Sequence, residues 1–534
     1  MLLGGVLNFA PIAAQSVSRE WYDTNYLEKS DVRITGNNAS GLRYFNVDKS
    51  SIVELGIKNS NGGFINYCDP DNSFAVNANA ESYFRYNPQV VLYGKINYTN
   101  LQGNNWGGSA FYDPYYNPFD LVEFSDNTKG KKEQEIYHLI GALSFDATEK
   151  FTLGLNFDYK TLNYTKFKDL RHANTMLDLS ADIGTFYRFS SLFELGANYD
   201  YRRTIEKVGF YKEGVTDEKY ASLIDYGGFF GKKEDYPTGS SGVSDGYTRE
   251  SGSIPMINHI HSLSLQVNLT SSNIRFFNDL IFKTREGYYG EKSSSKIYYT
   301  EHNGNAFAYK ASLSLFQEKN RHTISAEIYK EDIDNYETSP RRITSSETGS
   351  YYYEYYDPVD VGTKSTLKSS AVYTYWHNIN NYIPDWGVSA AYNMVERKST
   401  AIYYPYYRKQ NIRTHTMSLS GERNIIQDKN QYRISLGASY QLGNGNPMND
   451  GFYAMPNETA KKPSSLDHLV MKEFEYLTAD QVKLNIGLYY SRPFPTLNIK
   501  GYAALDYSYT NAFDTEYMSS NYFHEVSFKV GCFF

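Results

Sequence analysis

The sequence predicts an all-β fold: a transmembrane antiparallel β-barrel of about 18 strands, within a range of about 16 to 20. Three observations predict it. Apolar residues alternate with polar ones in segments of about 10 to 14 residues, longer than the usual ~5–6 and long enough for a tilted strand to cross a bilayer. Short and long connections take turns along the chain. The 534 residues include 53 Tyr and 31 Phe, yet mean hydropathy is −0.57. No stretch of about 18 apolar residues is available for a spanning helix.

The elements follow in order. Met1 to Ser16 holds an apolar run with Ala13-Ala14 before Gln15, although no basic segment precedes it. It reads as a signal peptide, 1–14, cleaved after Ala14. Residues 15–49 read as a short periplasmic amino-terminal segment, and 50–534 as the barrel. A first strand lies within 50–68. In 150–160, Phe151, Leu153, Leu155, Phe157 and Tyr159 share one face, and Thr152, Gly154, Asn156, Asp158 and Lys160 the other. Phe193, Leu195, Ala197, Tyr199 and Tyr201 likewise oppose Glu194, Gly196, Asn198, Asp200 and Arg202. The pattern returns in 263–269, 309–315, 432–440, 482–490 and 497–509. The last strand, 521–534, carries Tyr522, Val526, Phe528, Val530 and Phe534 on its greasy face.

Eight short links punctuate these segments: 86–89, 146–150, 188–191, 270–273, 317–321, 378–385, 425–431 and 491–496. They join sixteen strands, and one more at each end brings the number to 18, even as single-chain bacterial barrels require. The spans 101–132, 207–255, 287–304, 332–365, 397–411 and 442–478 are polar and read as long loops. Short turns on one side and long loops on the other is the outer-membrane arrangement. Tyrosines at the strand ends, among them Tyr98, Tyr159, Tyr164, Tyr199, Tyr201, Tyr288 and Tyr289, read as two headgroup girdles. So do Tyr298, Tyr299, Tyr489, Tyr490, Tyr507 and Tyr509.

The wet faces predict the lumen. On strands of the first half they place Asp158, Lys160, Glu194, Asp200, Arg202 and Lys310. On later strands they place Arg433, Lys483, Lys500, Asp506, Glu525 and Lys529. Mixed sign favours polar solutes without strong ion selectivity. Cys68 and Cys532 fall near opposite ends of neighbouring strands, beyond the ~7 Å Cα separation a disulfide tolerates. A net charge of −7 argues against nucleic-acid binding.

The sequence holds no phosphate-binding glycine loop, no Cys-x-x-Cys and no His-Glu-x-x-His. The expectation is a chain that is not an enzyme and carries no cofactor. His259 and His261 share a strand face; a strand entering the membrane from a polar loop explains them more simply than a metal. Aromatic-acidic runs at 111–120, 351–358 and 403–408 put Tyr115, Tyr116, Tyr352, Tyr355, Asp357 and Tyr406 forward as loop ligand contacts. Rings of this kind stack on sugars or cations. The competing reading, preferred, is that they glue the long loops into a lid.

Four stretches carry a family resemblance: Gly36-Asn-Asn-Ala-Ser-Gly-Leu42, the run 105–114, the strand pair through 137–164, and the terminal strand. Over nearly all of the chain the sequence resembles uncharacterised porin-like outer-membrane β-barrel proteins of Bacteroidota. The resemblance implies a Gram-negative outer membrane as location. It implies outer-membrane lipids and lipopolysaccharide as surroundings, and a final aromatic strand read by the barrel-assembly machinery. TonB-dependent receptors carry a plug of over a hundred residues, for which about 35 residues between Gln15 and the first strand leave no room. Fatty-acid transporters have 14 strands and fit less well. The expected role is a porin-like or uptake-associated channel for polar solutes. The alternative is a non-conducting surface barrel whose loops bind a partner lipoprotein, a glycan or a metal-bearing ligand, as an accessory to a TonB-dependent receptor.

Overall fold

The structure, a computed structural model, describes residues 24–214, 217–236, 246–249 and 252–534. The expected leader at 1–14 lies outside these residues. Eighteen strands form one antiparallel sheet in which every strand pairs with its neighbours in the chain. The first strand, Lys49–Gly62, also pairs with the last, Tyr522–Phe533: Leu55 faces Ala78 on one side and Val530 on the other. The sheet closes on itself, so no backbone edge meets lipid.

Period-two geometry sorts the side chains. Leu55, Phe157, Leu419 and Leu436 are between 51% and 59% exposed on the outer surface, whereas Gln266, Asn268 and Asp279 are at most 3% exposed within. Apolar outside and polar inside reverses the order of a water-soluble domain. Only a hydrocarbon surround makes that order favourable. Tyr522, Val526, Phe528, Val530 and Phe534 all belong to this outer belt. The protein is a transmembrane β-barrel of the outer-membrane type. No described helix is long and apolar enough to cross a membrane.

The turns at the carboxy-terminal end of the barrel are short. Those after Gln317 and Gln427 place Glu318 and Asp428 at φ +48° and +55°. The opposite rim departs from expectation in three places. Spans 287–304, 332–365 and 397–411 are not loops but hairpins. The strands Ile274–Ser293, Lys296–Gln317, Asn320–Thr344, Tyr351–His377, Trp386–Tyr403 and Tyr406–Gln427 continue through them. Above the bilayer no lipid enforces alternation, so a paired strand there carries no hydrophobic period and reads as a loop. The wall is consequently uneven. Its longest strand has 27 residues and its first only 14, a difference of roughly 40 Å along the strand.

The girdle expectation also needs correction. Tyr164, Tyr289 and Tyr299 are at most 5% exposed and point inward. In the pairs 288/289 and 298/299 one ring must face in when the other faces out, because adjacent residues occupy opposite faces.

Candidate functional site: a chamber between a plug and a lid

Two segments of the chain enter the barrel from opposite mouths. At the short-turn mouth residues 24–47 form a plug with a helix, Thr24–Ser30, and a 3₁₀ turn, Ala39–Tyr44. Asn38 caps that turn by accepting from the Ser40 amide at 3.0 Å. Its Nδ2 donates to the Thr185 carbonyl at 3.1 Å and to Gln266 Oε1 at 3.0 Å. The wall makes room with glycine. Gly154 and Gly184 face each other on adjacent strands. A Cβ at Gly154 would lie 1.9 Å from the Ser40 nitrogen, and one at Gly184 2.0 Å from Asn38 Oδ1.

Ionic bonds fix the plug. Asp31 binds Arg33 at 2.7 Å and Arg275 of the wall at 2.7 Å. Burial pushes the Asp31 carboxyl up, and the two guanidiniums more than offset it, holding the group below the usual carboxylate range. Arg33 lies 3.3 Å over the Tyr44 ring and 3.7 Å from Glu194. On the plug helix, Glu28 accepts from Tyr83 at 3.0 Å. Burial first, then the nearby Glu81 charge, pushes Glu28 up to about 7.

At the other mouth three long loops meet. Asp120–Glu123, Tyr220–Asp225, Phe230–Tyr236 and Ser464–Ser465 form a four-stranded sheet inside the rim, followed by a helix, Asp467–Thr478. Phe119, Leu121, Val122 and Leu223 are 0% exposed. One face of the sheet packs with Phe111, Ile224, Tyr247 and Tyr289, the other with Tyr67, Phe229, Leu469 and Val470. Arg408 of the wall donates to the Gly228 carbonyl at 3.1 Å and to Asp467 at 3.0 Å. Burial raises Asp120 to about 6, and its Ser109 and Tyr67 hydrogen bonds oppose the rise. Burial also pushes the Cys68 thiol well up. Both cysteines are free.

Between plug and lid lies a chamber of about 840 Å³, within the size range of small-molecule sites. Its floor is Ile34 to Leu42, its roof Tyr115, Asp120, Phe229 and Glu473, and its side the inward row of the wall. The expected lumen residues fall as follows. Asp158, Lys160, Asp200 and Arg202 line the chamber. Glu194 is bound into the plug contact through Arg188 at 2.9 Å and Asn268 at 2.7 Å. Lys310 faces Glu327 at 3.6 Å. On the far wall, Arg433 donates to Asn424 at 2.9 Å and Lys500 to Gln431 at 2.7 Å. Glu525 stands 3.9 Å from Lys483, Lys529 stands 3.8 Å from Glu54, and Asp506 is exposed. There the Lys483 and Lys529 side chains remain over 40% exposed, so this side of the lumen is wet.

The six loop residues do not converge. Tyr115 donates to Glu473 at 2.7 Å beneath Arg397, whose guanidinium lies 3.9 Å from the ring. Tyr116 lies under Arg285 at 4.4 Å. Tyr352 and Asp357 are exposed on the tall hairpin, where Tyr355 stacks on Tyr298 at 4.2 Å. Tyr406 packs at the edge of the lid core. His259 and His261 point outward, each accepting or donating through Nδ1 to Tyr201 and Tyr199 at 2.8 and 2.7 Å. No described group of three or more His, Cys, Asp or Glu is arranged to hold a metal. Sequence reasoning missed Asp182, Lys283, Lys364 and Arg397 of the chamber. The inward parity of their strands could have found Asp182 and Lys283; Lys364 and Arg397 lie in spans that read as loops.

A family model described as "Family of unknown function (DUF6850)" matches residues 39–534. No curated protein matches in sequence. Among solved structures, the ferric preacinetobactin receptor BauA from Acinetobacter baumannii is 8% identical, with 90% of this chain and 80% of that one covered and a TM-score of 0.36. The copper transporter OprC is 8% identical, with 91% and 81% covered and a TM-score of 0.36. The ferric citrate transporter FecA is 9% identical, with 91% and 79% covered and a TM-score of 0.33.

Proposed function

We infer that this chain, which belongs to the DUF6850 family of unknown function, is an uptake barrel for polar solutes whose lumen is obstructed at rest. The supporting observation is a polar chamber held between two segments of the chain itself. An 18-stranded ring is wide enough for a water-filled channel. Here the plug and the lid occupy much of that bore, so the resting protein differs from an open porin. Solute enters past the lid, is held in the chamber, and leaves when the plug moves toward the periplasm. The final strand's outer row serves as the insertion signal, and no catalytic step belongs to this reading.

Planar-bilayer recording tests it. Wild-type protein gives rare, small openings, and Asp31→Asn gives frequent, larger ones. Absence of current and of solute flux in both removes the uptake role.

A second reading draws on the uneven rim. The hairpin of Asn320–Thr344 and Tyr351–His377 stands above its neighbours with Tyr352, Tyr356 and Val359 exposed, a surface suited to a partner lipoprotein. Recovery of a stoichiometric partner with the wild type, lost on trimming residues 339–356, favours this reading.

A further inference from the structure

The chamber's charges are unevenly satisfied. On its wall Asp158 is taken by His138 at 2.7 Å, and Asp178 by Arg202 at 2.7 and 2.6 Å. Asp182 and Asp200 are different. They stand directly opposite each other on adjacent strands, an arrangement of like charges that disfavours itself. Neither has a cation within 4.0 Å among the described residues. Asp182 is 8% exposed; Asn156 donates to its Oδ2 at 2.7 Å, and its Oδ1 has no partner. Asn198, 3% exposed and one inward position from Asp200, also has an unpartnered oxygen. All four groups line the chamber. Lys160, on the strand that pairs with Asp182's, lies instead over the Tyr112 ring at 4.8 Å.

The same hydrogen-bonded row runs on from Asp200 through Ser262 to Lys283. Lys283 lines the chamber and has no carboxylate within 4.0 Å among the described residues; Asp200 and Glu331 act on it from further away. Lys364 and Lys368 lie further along in the same direction. Among the described residues Lys364 donates to the Asn117 carbonyl at 3.3 Å, and Lys368 lies over the Tyr329 ring at 5.8 Å. One flank of the chamber thus offers negative charge and acceptors, the next offers positive charge. From Asp182 to Lys283 is three strand steps, roughly 14 Å along the wall, less the reach of the side chains.

We propose that the chamber binds a short zwitterionic peptide, its ammonium on the Asp182–Asp200 pair and its carboxylate on Lys283. This rests on the uptake reading of the chamber. Two to four extended residues span roughly 7–14 Å, and the chamber volume accommodates them. A neutral sugar leaves the buried Asp182 carboxylate oxygen without a charged partner, which a low-dielectric site penalises.

The test uses the whole barrel refolded in detergent, with heat-modifiable gel mobility confirming that each variant is folded. Titration calorimetry compares trialanine, N-acetyl-trialanine, trialanine amide and maltotriose. Trialanine binds at least tenfold tighter than either capped peptide or the sugar. Asp182→Asn weakens trialanine and the amide at least fivefold and leaves the acetylated peptide unchanged. Lys283→Gln weakens trialanine and the acetylated peptide and leaves the amide unchanged. Equal binding of all four probes, or variants that do not follow the caps, overturns the proposal. Liposome swelling separates the two levels of inference. Swelling with maltotriose and capped peptides alike leaves uptake standing and removes the zwitterion site. No swelling with any probe, in the wild type and in Gly184→Val, removes the uptake reading itself.

Discussion

The plug and the lid obstruct the same bore by opposite physics. The lid is built like a small soluble domain. Its sheet buries Leu121 and Val122, consecutive residues on opposite faces, both at 0% exposure, and each face has its own aromatic and aliphatic cluster. The plug has a modest apolar contact, Leu27, Ile34, Leu42 and Phe45 against Tyr83 and Val91. It owes its position to Asp31, Arg33, Glu194 and Asn38. Hydrophobic burial is non-directional and tolerates small shifts, whereas a buried ionic contact depends on every partner staying in place. In the uptake reading proposed above, the plug is the part that moves and the lid the part that holds still.

Four experiments break or sharpen that contrast. The largest effect is expected for Asp31→Ala, which leaves Arg33 and Arg275 without their shared carboxylate. Stranding a buried charge costs about 3–5 kcal/mol. Hydrogen exchange should speed up throughout 24–47 and stay unchanged in 119–124, and unchanged exchange in the plug refutes the ionic account. Leu223→Ala is the converse. A deleted core leucine costs about 2–5 kcal/mol, so the lid should exchange faster and be cut sooner by added protease, with plug protection unaltered. Gly184→Val comes third. Its side chain would meet Asn38, so the 3₁₀ turn must back out of its seat. Bilayer current should rise several-fold while the melting of the barrel hardly changes.

The smallest effect is pH. Glu28, raised to about 7 in the docked plug, binds its proton more tightly there than when released. Its contribution to docking is full below the ordinary glutamate range and is lost as pH rises through about 7. The groups facing it are Glu81, Tyr83 and Lys95. Asp31 acts in the other sense: its lowered pKa supports docking above the ordinary aspartate range and loses it in acid. Channel openings should increase between pH 6 and 8, and Glu28→Gln should flatten that rise. A pH profile that Glu28→Gln leaves untouched assigns the effect elsewhere.

The contrast also explains what could be read in advance. Strand number and turn positions were legible because each membrane crossing repeats the same local signal. Leu153, Leu155 and Phe157 alternate with Gly154, Asn156 and Asp158 whatever the rest of the chain does. The lid residues carried a weaker hint. The aromatic runs at 111–120 and 403–408 looked adhesive, and Phe111, Phe119 and Tyr406 do belong to the lid core. Nothing local, however, joins Asp120–Glu123 to Tyr220–Asp225, a hundred residues away. The run 36–42 looked distinctive, but its role as the tip of the plug depends on Gly154 and Gly184, which in sequence are merely two more small residues on a wet face. The tall hairpins were missed because water, unlike lipid, imposes no period on a paired strand.

What the sequence alone determined was the barrel: which residues face hydrocarbon, which face the bore, and how many strands close the ring. Those follow from period-two geometry and the membrane's demand for apolar contact, both local. The tertiary structure decided what fills the bore, and with it the chamber where Asp182 and Lys283 lie on one hydrogen-bonded row. That outcome depends on register between strands and on loops meeting across the mouth, contacts between residues far apart in the chain that no local pattern encodes.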